Sequence, residues 1–213
     1  MSLPSISRLS PLPRSFYARD PRVVARELLG KLLVRRQGRT LLAGRIVEAE
    51  AYLGAVDPGA HAYGGRTPRN AVLFGAPGHA YVYFIYGNHY CTNVSCQSAG
   101  EAGCVLLRAL EPVCGIAAMA ALRGLALPAN PRPSQLRLLT SGPGRLSQAL
   151  GISREHDNGC NFCSRRSGLY IVDDGSAAGE ILATPRINVT SAPLDEWRFV
   201  VIGNTFVSGK RPH

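Results

Sequence analysis

Two glutamates and a tyrosine, spaced two residues apart, are the side chains whose types could do chemistry. Glu48, Glu50 and Tyr52 lie in residues 44–54, where apolar and polar side chains alternate between two glycines. A period of two is typical of a β-strand with unlike faces. Same-face neighbours lie roughly 7 Å apart, so each carboxylate feels the other's charge. That coupling raises a carboxyl pKa and suits a general base.

The alternation also predicts which side chains share a face. Val47, Ala49 and Ala51 point one way, and Ile46 points the other way with the two glutamates and Tyr52. An edge strand with a solvated face is the alternative explanation of this stretch. Alternation alone does not choose between Glu48 and Glu50 as the reactive group.

A loop rich in Gly and Pro follows this strand, over residues 55–70. Loops set on a rigid sheet are where functional residues concentrate. The side chains of this loop that could bind or react are His61, Tyr63, Arg66 and Arg69. They bear on the glutamates only if the loop folds back over the strand.

Residues 80–94 carry four of the eight tyrosines. Tyr81, Tyr83 and Ile85 share one face of the predicted strand, which ends at Gly87. In a basic protein, clustered aromatic faces are a means of stacking nucleic-acid bases. A half-buried sheet with tyrosines at its wet edge is the structural alternative.

The charge points to a polyanionic partner. The 24 basic and 14 acidic residues give a net charge of +10, and all the basic residues except Lys31 and Lys210 are arginine. An excess of this size favours nucleic acid. Arg108 lies inside the apolar strand 103–110 and needs a carboxylate or phosphate partner. Residues 141–145 open a helix whose free amides, with Arg145, form a candidate phosphate site.

Composition limits the protein class. No apolar run approaches the roughly 18 residues of a membrane span, and the N-terminus lacks the pattern of a secretory signal. We therefore expect a cytoplasmic protein without a membrane partner, and we expect association with the nucleoid through the nucleic-acid binding that the charge favours. Cys91, Cys96, Cys104 and Cys114 read as buried thiols. The Cys160–Cys163 pair near His156 has metal-ligand spacing, but a single such pair is a weak signal, and we expect no metal.

The secondary-structure pattern predicts a loose arm over residues 1–13 and one domain over residues 14–213. Asp20 and Pro21 open a helix that stops at Gly30, and residues 37–39 turn a hairpin into the glutamate strand. We also expect a helix from Pro112 to Leu122. Later strands are predicted over these ranges: 169–172, 180–189 and 198–207. Many strands and few helices indicate an α+β domain around an antiparallel sheet.

Six motifs, in order, resemble the alkyladenine (3-methyladenine) DNA glycosylase family. They are GRIVEAEAYLG, DPGAHAYGGRTPRN, YVYFIYG, CTNV, VLLRALEP and TSGPGRL. The resemblance covers about residues 14–210 and implies one α+β domain with a curved antiparallel sheet and surrounding helices. It implies base-excision repair by a monomer without a cofactor, which extrudes an alkylated or deaminated purine from double-stranded DNA and hydrolyses its glycosidic bond.

The same resemblance implies individual roles. Glu50 matches the general base that activates a water, and Arg108 matches the arginine that helps to position that water. Tyr86 matches the side chain inserted into the duplex, and Asn93 matches the residue that crowds the 2-amino group of guanine. The residues that match those enclosing the extruded base are Tyr52, His61 and Tyr83.

Two positions depart from the family pattern. Asn88 replaces the methionine common beside the inserted side chain, and Asn188 stands where a glycine is usual; we expect Asn188 to lie away from the chemistry. The scarcity of lysine predicts a monofunctional enzyme, because a lyase step needs an amine nucleophile. The candidate phosphate contacts are Arg66, Arg69, Arg108 and Arg145.

Two other functions use part of the same pattern. A non-catalytic nucleic-acid-binding module would use the charge and the aromatic residues but would not need Glu50. A hydrolase of free nucleosides would need the carboxylate without a strongly basic surface. Release of a free base from alkylated duplex DNA, but not from nucleosides, separates the three.

Overall fold

The structure is a computed structural model and describes residues 6–209. Its eight strands are β1 (Leu32–Gln37), β2 (Thr40–Tyr52), β3 (Ala80–Ile85), β4 (His89–Cys96), β5 (Gly103–Cys114), β6 (Leu169–Val172), β7 (Ile181–Thr184) and β8 (Arg198–Val201). The α-helices in this range are α1 (Arg14–Tyr17), α2 (Pro21–Leu28), α3 (Ile116–Leu122), α4 (Pro133–Thr140), α5 (Pro143–Ala149) and α6 (Arg154–Asp157). Short 3-10 turns lie at Gly54–Val56, Ala71–Phe74 and Arg165–Ser167. No helix in residues 6–209 is long and apolar enough to cross a membrane.

All the strands belong to one antiparallel sheet, so the α+β prediction is confirmed. The strand order is β3-β4-β5-β2-β1-β6, and β8 pairs with both β2 and β7. Strand β2 pairs with β5 on one side; on the other it pairs first with β1 and then with β8. It is therefore an interior strand, and the solvated-edge alternative is wrong. Glu48 and Glu50 are both 0% exposed.

Three register shifts interrupt the pairing of β2 with β5, and the second and third flank Glu48. Ile46 pairs with Leu110, whereas Glu48 pairs with Ala109, so Val47 is an extra residue on β2. Ala49 then pairs with Leu107, so Arg108 is an extra residue on β5 and the original register is restored. A bulge redirects side chains and breaks strict alternation.

The bulge at Val47 corrects one predicted face. Ile46 was expected beside the glutamates, but it lies in the same core cluster as Val47, Ala49 and Ala51. The bulge at Arg108 falls at the residue that contacts both glutamates. Neither irregularity has a local sequence signal, because no glycine or proline lies at either position.

Local capping and turn signals predicted the first elements correctly. Asp20 caps α2 by accepting a hydrogen bond from the Arg22 amide at 2.8 Å, and the β1–β2 hairpin turns at residues 38 and 39. The helix predicted from Pro112 is wrong at its start. Strand β5 continues through Cys114, because Gly115, with φ of 79°, makes the turn into α3. The last two predicted strands are shorter than expected, at residues 181–184 and 198–201.

The segment expected as a loose arm is packed where the structure describes it. Ile6 is fully buried in a small cluster with Leu32 and Tyr170, and the Leu12 amide donates to the Ile171 carbonyl at 2.9 Å. The larger core lies between the sheet and α2, α5 and the chain around them. This core fixes β2 and β5, which carry the buried charges.

Candidate active site

Arg108 joins the two glutamates of β2. Its Nε lies 2.9 Å from Glu48 Oε1, and its Nη1 lies 3.2 Å from Glu50 Oε2. The arginine side chain is only 9% exposed, so the three charges interact away from bulk water. Burial alone would lower the pKa of Arg108, but the charges of Glu50 and Glu48 outweigh it and raise the pKa. Arg108 is therefore held as a cation between two carboxylates.

Glu48 is the more heavily paired of the two carboxylates. It also binds Arg198, at 2.7 Å between Oε1 and Nε, and it accepts hydrogen bonds from the amide and hydroxyl of Ser208 at 2.6 and 2.9 Å. Burial raises the pKa of Glu48, but the charges of Arg108 and Arg198 and these hydrogen bonds outweigh it, so the pKa is lowered. The expected rise is therefore wrong for Glu48. A carboxylate with four donors around it and a lowered pKa is a weak base.

Glu50 keeps one open acceptor position. Its Oε2 accepts from the Tyr52 hydroxyl at 2.9 Å and contacts Arg108, and its Oε1 accepts from the Ile187 amide at 2.8 Å. A carboxylate offers about four acceptor positions, so roughly one remains. Burial, followed by the charge and hydrogen bond of Glu50, raises the pKa of Tyr52 well above its ordinary value. Tyr52 is therefore a neutral hydrogen-bond donor to Glu50.

An aromatic pocket opens beside this charge cluster. The pocket is lined by Tyr52, Gly59, His61, Tyr81, Tyr83, Asn93 and Cys104. This lining includes all four residues expected to enclose or select a base. The His61 ring packs edge-on against Tyr83, with centroids 4.5 Å apart. Thus the loop after β2 does fold back over the strand. A wider cleft shares Tyr52 and Tyr83 with the pocket and continues past Arg108 to Tyr86.

Tyr81 orders the polar edge of the pocket. Its hydroxyl lies 3.0 Å from His61 Nδ1, and its carbonyl accepts from Asn93 Nδ2 at 2.9 Å. Loss of hydration, and next the charge of Arg69, lower the pKa of His61. Burial raises the pKa of Tyr81 to about 12. Both rings are therefore neutral near pH 7. The shared strand face of Tyr81 and Tyr83 was the sequence signal for this contact.

The sequence interpretation missed the support behind Tyr52. The Arg186 guanidinium lies between two rings, with Cζ 4.6 Å from the Tyr52 centroid and 4.8 Å from that of Trp197. Asp57 binds it through two hydrogen bonds, at 2.6 and 2.9 Å, and both side chains are 0% exposed. Asp57 is the single carboxylate of the 55–70 loop, which was a usable signal. No sequence signal indicated Arg186, since it lies 129 residues from Asp57 along the chain.

Tyr86 projects from the tip of the β3–β4 hairpin. It is 76% exposed and has a positive φ of 54°, which is uncommon for a bulky residue and marks local strain. Asn88 is exposed on the same turn. A shallow groove runs from Tyr86 to Arg145 at the start of α5. The hairpin therefore presents an aromatic side chain at the mouth of the wider cleft.

Asn188 lies closer to the chemistry than expected. It lines the wider cleft with Tyr52, Tyr83 and Arg108. Its φ of 60° is left-handed, a conformation that glycine adopts freely and asparagine tolerates better than most residues. This explains how asparagine can occupy the position, and it corrects the expectation that Asn188 lies away from the site.

The candidate phosphate arginines occupy different settings. Arg66, Arg69 and Arg145 are exposed, whereas Arg108 is buried in the ion-pair cluster. The Arg69 guanidinium lies over the Tyr83 ring, with Cζ 5.4 Å from the centroid. Lys31, near the start of β1, is paired with Asp173 at 2.6 Å; Lys210 lies outside the described residues.

The cysteines lie in three settings. Cys91, Cys96 and Cys104 are buried as expected, whereas Cys114 is only partly buried. Cys160 and Cys163 are partly buried thiols at the end of the segment after α6. Between residues 6 and 209, no group of three or more His, Cys, Asp or Glu side chains is placed to hold a metal ion.

The fold and site define a class: an α+β protein in which an aromatic pocket adjoins a buried carboxylate–arginine cluster. A sequence profile described as "Methylpurine-DNA glycosylase (MPG)" matches residues 15–205. A protein of Koribacter versatilis (strain Ellin345), named "Putative 3-methyladenine DNA glycosylase", is 59% identical over 207 residues, 97% of each chain. Proteins of the same name are 47% identical in Burkholderia orbicola (strain MC0-3), over 94% of this chain and 92% of that one, and 44% identical in Clostridium botulinum (strain Hall), over 93% and 99%. The chain belongs to the methylpurine-DNA glycosylase family.

Proposed function

We propose that this protein is a DNA glycosylase that hydrolyses the bond between an alkylated or deaminated purine and deoxyribose in duplex DNA. The observation that carries the proposal is the position of Glu50. It is a buried carboxylate that shares Tyr52 with the aromatic pocket and Arg108 with the cleft beside it. Family membership supports the same reaction class.

The pocket would receive a base only after that base leaves the duplex. Extrusion costs a few kcal/mol, and stacking on aromatic rings returns roughly 1–3 kcal/mol per contact. Tyr52 and Tyr83 would supply the stacking surfaces, with His61 and Asn93 at the polar edge. The exposed Tyr86, at the hairpin tip, would occupy the space that the base vacates. Arg66 and Arg145 would contact phosphates, which fits the net charge of +10.

Glu50 would act on the water that attacks the sugar. The open acceptor position of Glu50 binds a water O–H, and Arg108 fixes the orientation of the carboxylate. As the bond from C1′ to the purine nitrogen breaks, its electron pair leaves with the base, and the sugar acquires oxocarbenium character. The water oxygen bonds to C1′ and its proton passes to Glu50, while the negative charge of Glu50 stabilises the developing cation.

The reaction would end at an abasic site with the strand intact. A lyase step needs an amine that forms a Schiff base with the sugar. Lys31 is held by Asp173, and no other lysine lies in residues 6–209. Borohydride should therefore trap no covalent protein–DNA adduct, whereas an adduct would assign the protein a lyase activity.

The test compares damaged duplex DNA with free nucleosides as substrates of one protein. The native protein should release free base from duplex DNA that contains 7-methylguanine or hypoxanthine, and it should leave the corresponding nucleosides intact. Hydrolysis of nucleosides with similar efficiency would favour a nucleoside hydrolase. Tight binding of damaged duplex without any base release would favour a non-catalytic binding module.

A further inference from the structure

Each of the two stacking tyrosines carries a guanidinium against its ring. Arg186 Cζ lies 4.6 Å from the Tyr52 ring centroid, and Arg69 Cζ lies 5.4 Å from the Tyr83 ring centroid. Neither arginine is among the residues that line the pocket. Both rings therefore already interact with a cation that is not part of the pocket lining, and Arg69 also interacts with the Tyr81 side chain at the edge of that lining.

The two arginines differ in how their charge is compensated. Arg186 is fully buried and forms a two-point ion pair with Asp57, which cancels most of its field. Arg69 is exposed and has no carboxylate within ion-pair distance among residues 6–209. Arg69 therefore contributes the uncompensated positive charge beside the pocket.

We propose that Arg69 is a specificity-determining residue that disfavours cationic bases and so favours neutral damaged purines. An aromatic face attracts a cation through its quadrupole, but a second cation across the same ring is repelled by the first. A base alkylated at N7 is cationic, whereas a deaminated base such as hypoxanthine is neutral. This inference rests on the proposed function, because it concerns which bases the same pocket accepts.

The lowered pKa of His61 is consistent with this assignment. His61 lies in the pocket lining, and the charge of Arg69 is the second cause of the shift, after loss of hydration. A residue that disfavours a proton on His61 disfavours any other positive charge at a similar distance. The same field would therefore act on a charged base.

The size of the effect follows from the distances. A base stacked on the far face of Tyr83 would lie about 9 Å from the Arg69 charge, taking a stacking distance of about 3.5 Å. At effective dielectric constants between about 20 and 80, the repulsion corresponds to a discrimination of about two- to twentyfold. Arg69→Gln should therefore raise the efficiency of 7-methylguanine release relative to hypoxanthine release by this factor.

The experiment measures single-turnover release from two duplexes that differ only in the damaged base. The intrinsic lability of 7-methylguanine cancels, because each variant's ratio of efficiencies is divided by the native ratio. Arg66→Gln is the matched control: it removes the same charge from the same exposed loop, three residues away, and a lost phosphate contact would lower the release of both bases equally. Arg69→Lys keeps the charge without the planar guanidinium.

The proposal is supported if the ratio rises in Arg69→Gln and stays near the native value in Arg66→Gln and Arg69→Lys. It is overturned if the ratio is unchanged or falls in Arg69→Gln, or rises equally in Arg66→Gln. An equal loss of both activities would assign Arg69 to phosphate binding instead. If the native protein releases neither base, the proposed function itself fails, and that result is distinct from an unchanged ratio.

Discussion

Replacing each glutamate of β2 by glutamine separates a structural carboxylate from a reactive one. Glu48→Gln removes the charge that faces Arg108 and Arg198, both of which contact Oε1 at 2.9 and 2.7 Å. It also turns an NH2 group toward another donor, either these guanidinium groups or the Ser208 amide at Oε2. Breaking a buried ion pair in this way costs about 3–5 kcal/mol. For a protein of this size, each kcal/mol shifts Tm by about 2–4 °C, so we expect Tm to fall by about 6–20 °C.

Glu50→Gln should show the opposite pattern. The glutamine oxygen can still accept from the Ile187 amide, and its NH2 group can donate to the Tyr52 hydroxyl, which also has acceptor lone pairs. Arg108 still has Glu48, so the loss of stability should be smaller. The chemical step should slow by about 10²–10⁴-fold, because glutamine cannot take the proton from water. Binding of damaged duplex should change little.

The assay combines thermal unfolding with single-turnover base release at saturating enzyme, below the Tm of every variant. Glu27→Gln is the control, since Glu27 forms an exposed ion pair with Arg19 and should contribute little to stability. If Glu48→Gln abolishes the chemical step while Glu50→Gln leaves it intact, the assignment of Glu50 is refuted. If Glu48→Gln unfolds at the native temperature, the argument from its buried pairs is refuted.

Other expected results test the pocket and the DNA-binding surface. Tyr83→Ala should lower excision by removing about 1–3 kcal/mol of stacking; full activity in a folded variant would contradict its place in the pocket. Asn93→Ser should admit guanine-type bases better relative to adenine-type bases, since it removes bulk beside the base, and competition between the two in one duplex measures this. Duplex affinity should fall with salt at a log–log slope of about 0.9 per phosphate neutralised, and a slope near zero would exclude duplex binding through arginine.

The sequence by itself determined the local elements and the chemical types. Asp20 and Pro21 specify the start of α2, and the glycine-containing turn specifies the β1–β2 hairpin, because caps and turns depend on neighbouring residues. The alternation around Glu48 and Glu50 specified a strand, since side-chain direction follows the backbone period. The residues expected to enclose a base do line one pocket.

Only the tertiary structure decided how the charges are shared. Alternation made Glu48 and Glu50 equally good candidates for the reactive carboxylate. They differ because Arg198 and Ser208, which lie near the C-terminal end of the described chain, bind Glu48. The bulge at Arg108 and the one at Val47 arise from the pairing of β2 with β5, which no local pattern encodes. Pairing across such sequence distances depends on how the whole sheet packs.

The support behind the aromatic rings is decided in the same way. Arg186 reaches the back of Tyr52 because the chain after β7 passes beside the end of β2, and Asp57 fixes it there. Arg69 was identified from the sequence as a charge on an exposed loop, but its position over Tyr83 follows from the fold of that loop. The sequence supplies the ionisable groups, whereas packing sets the distances on which their energies depend.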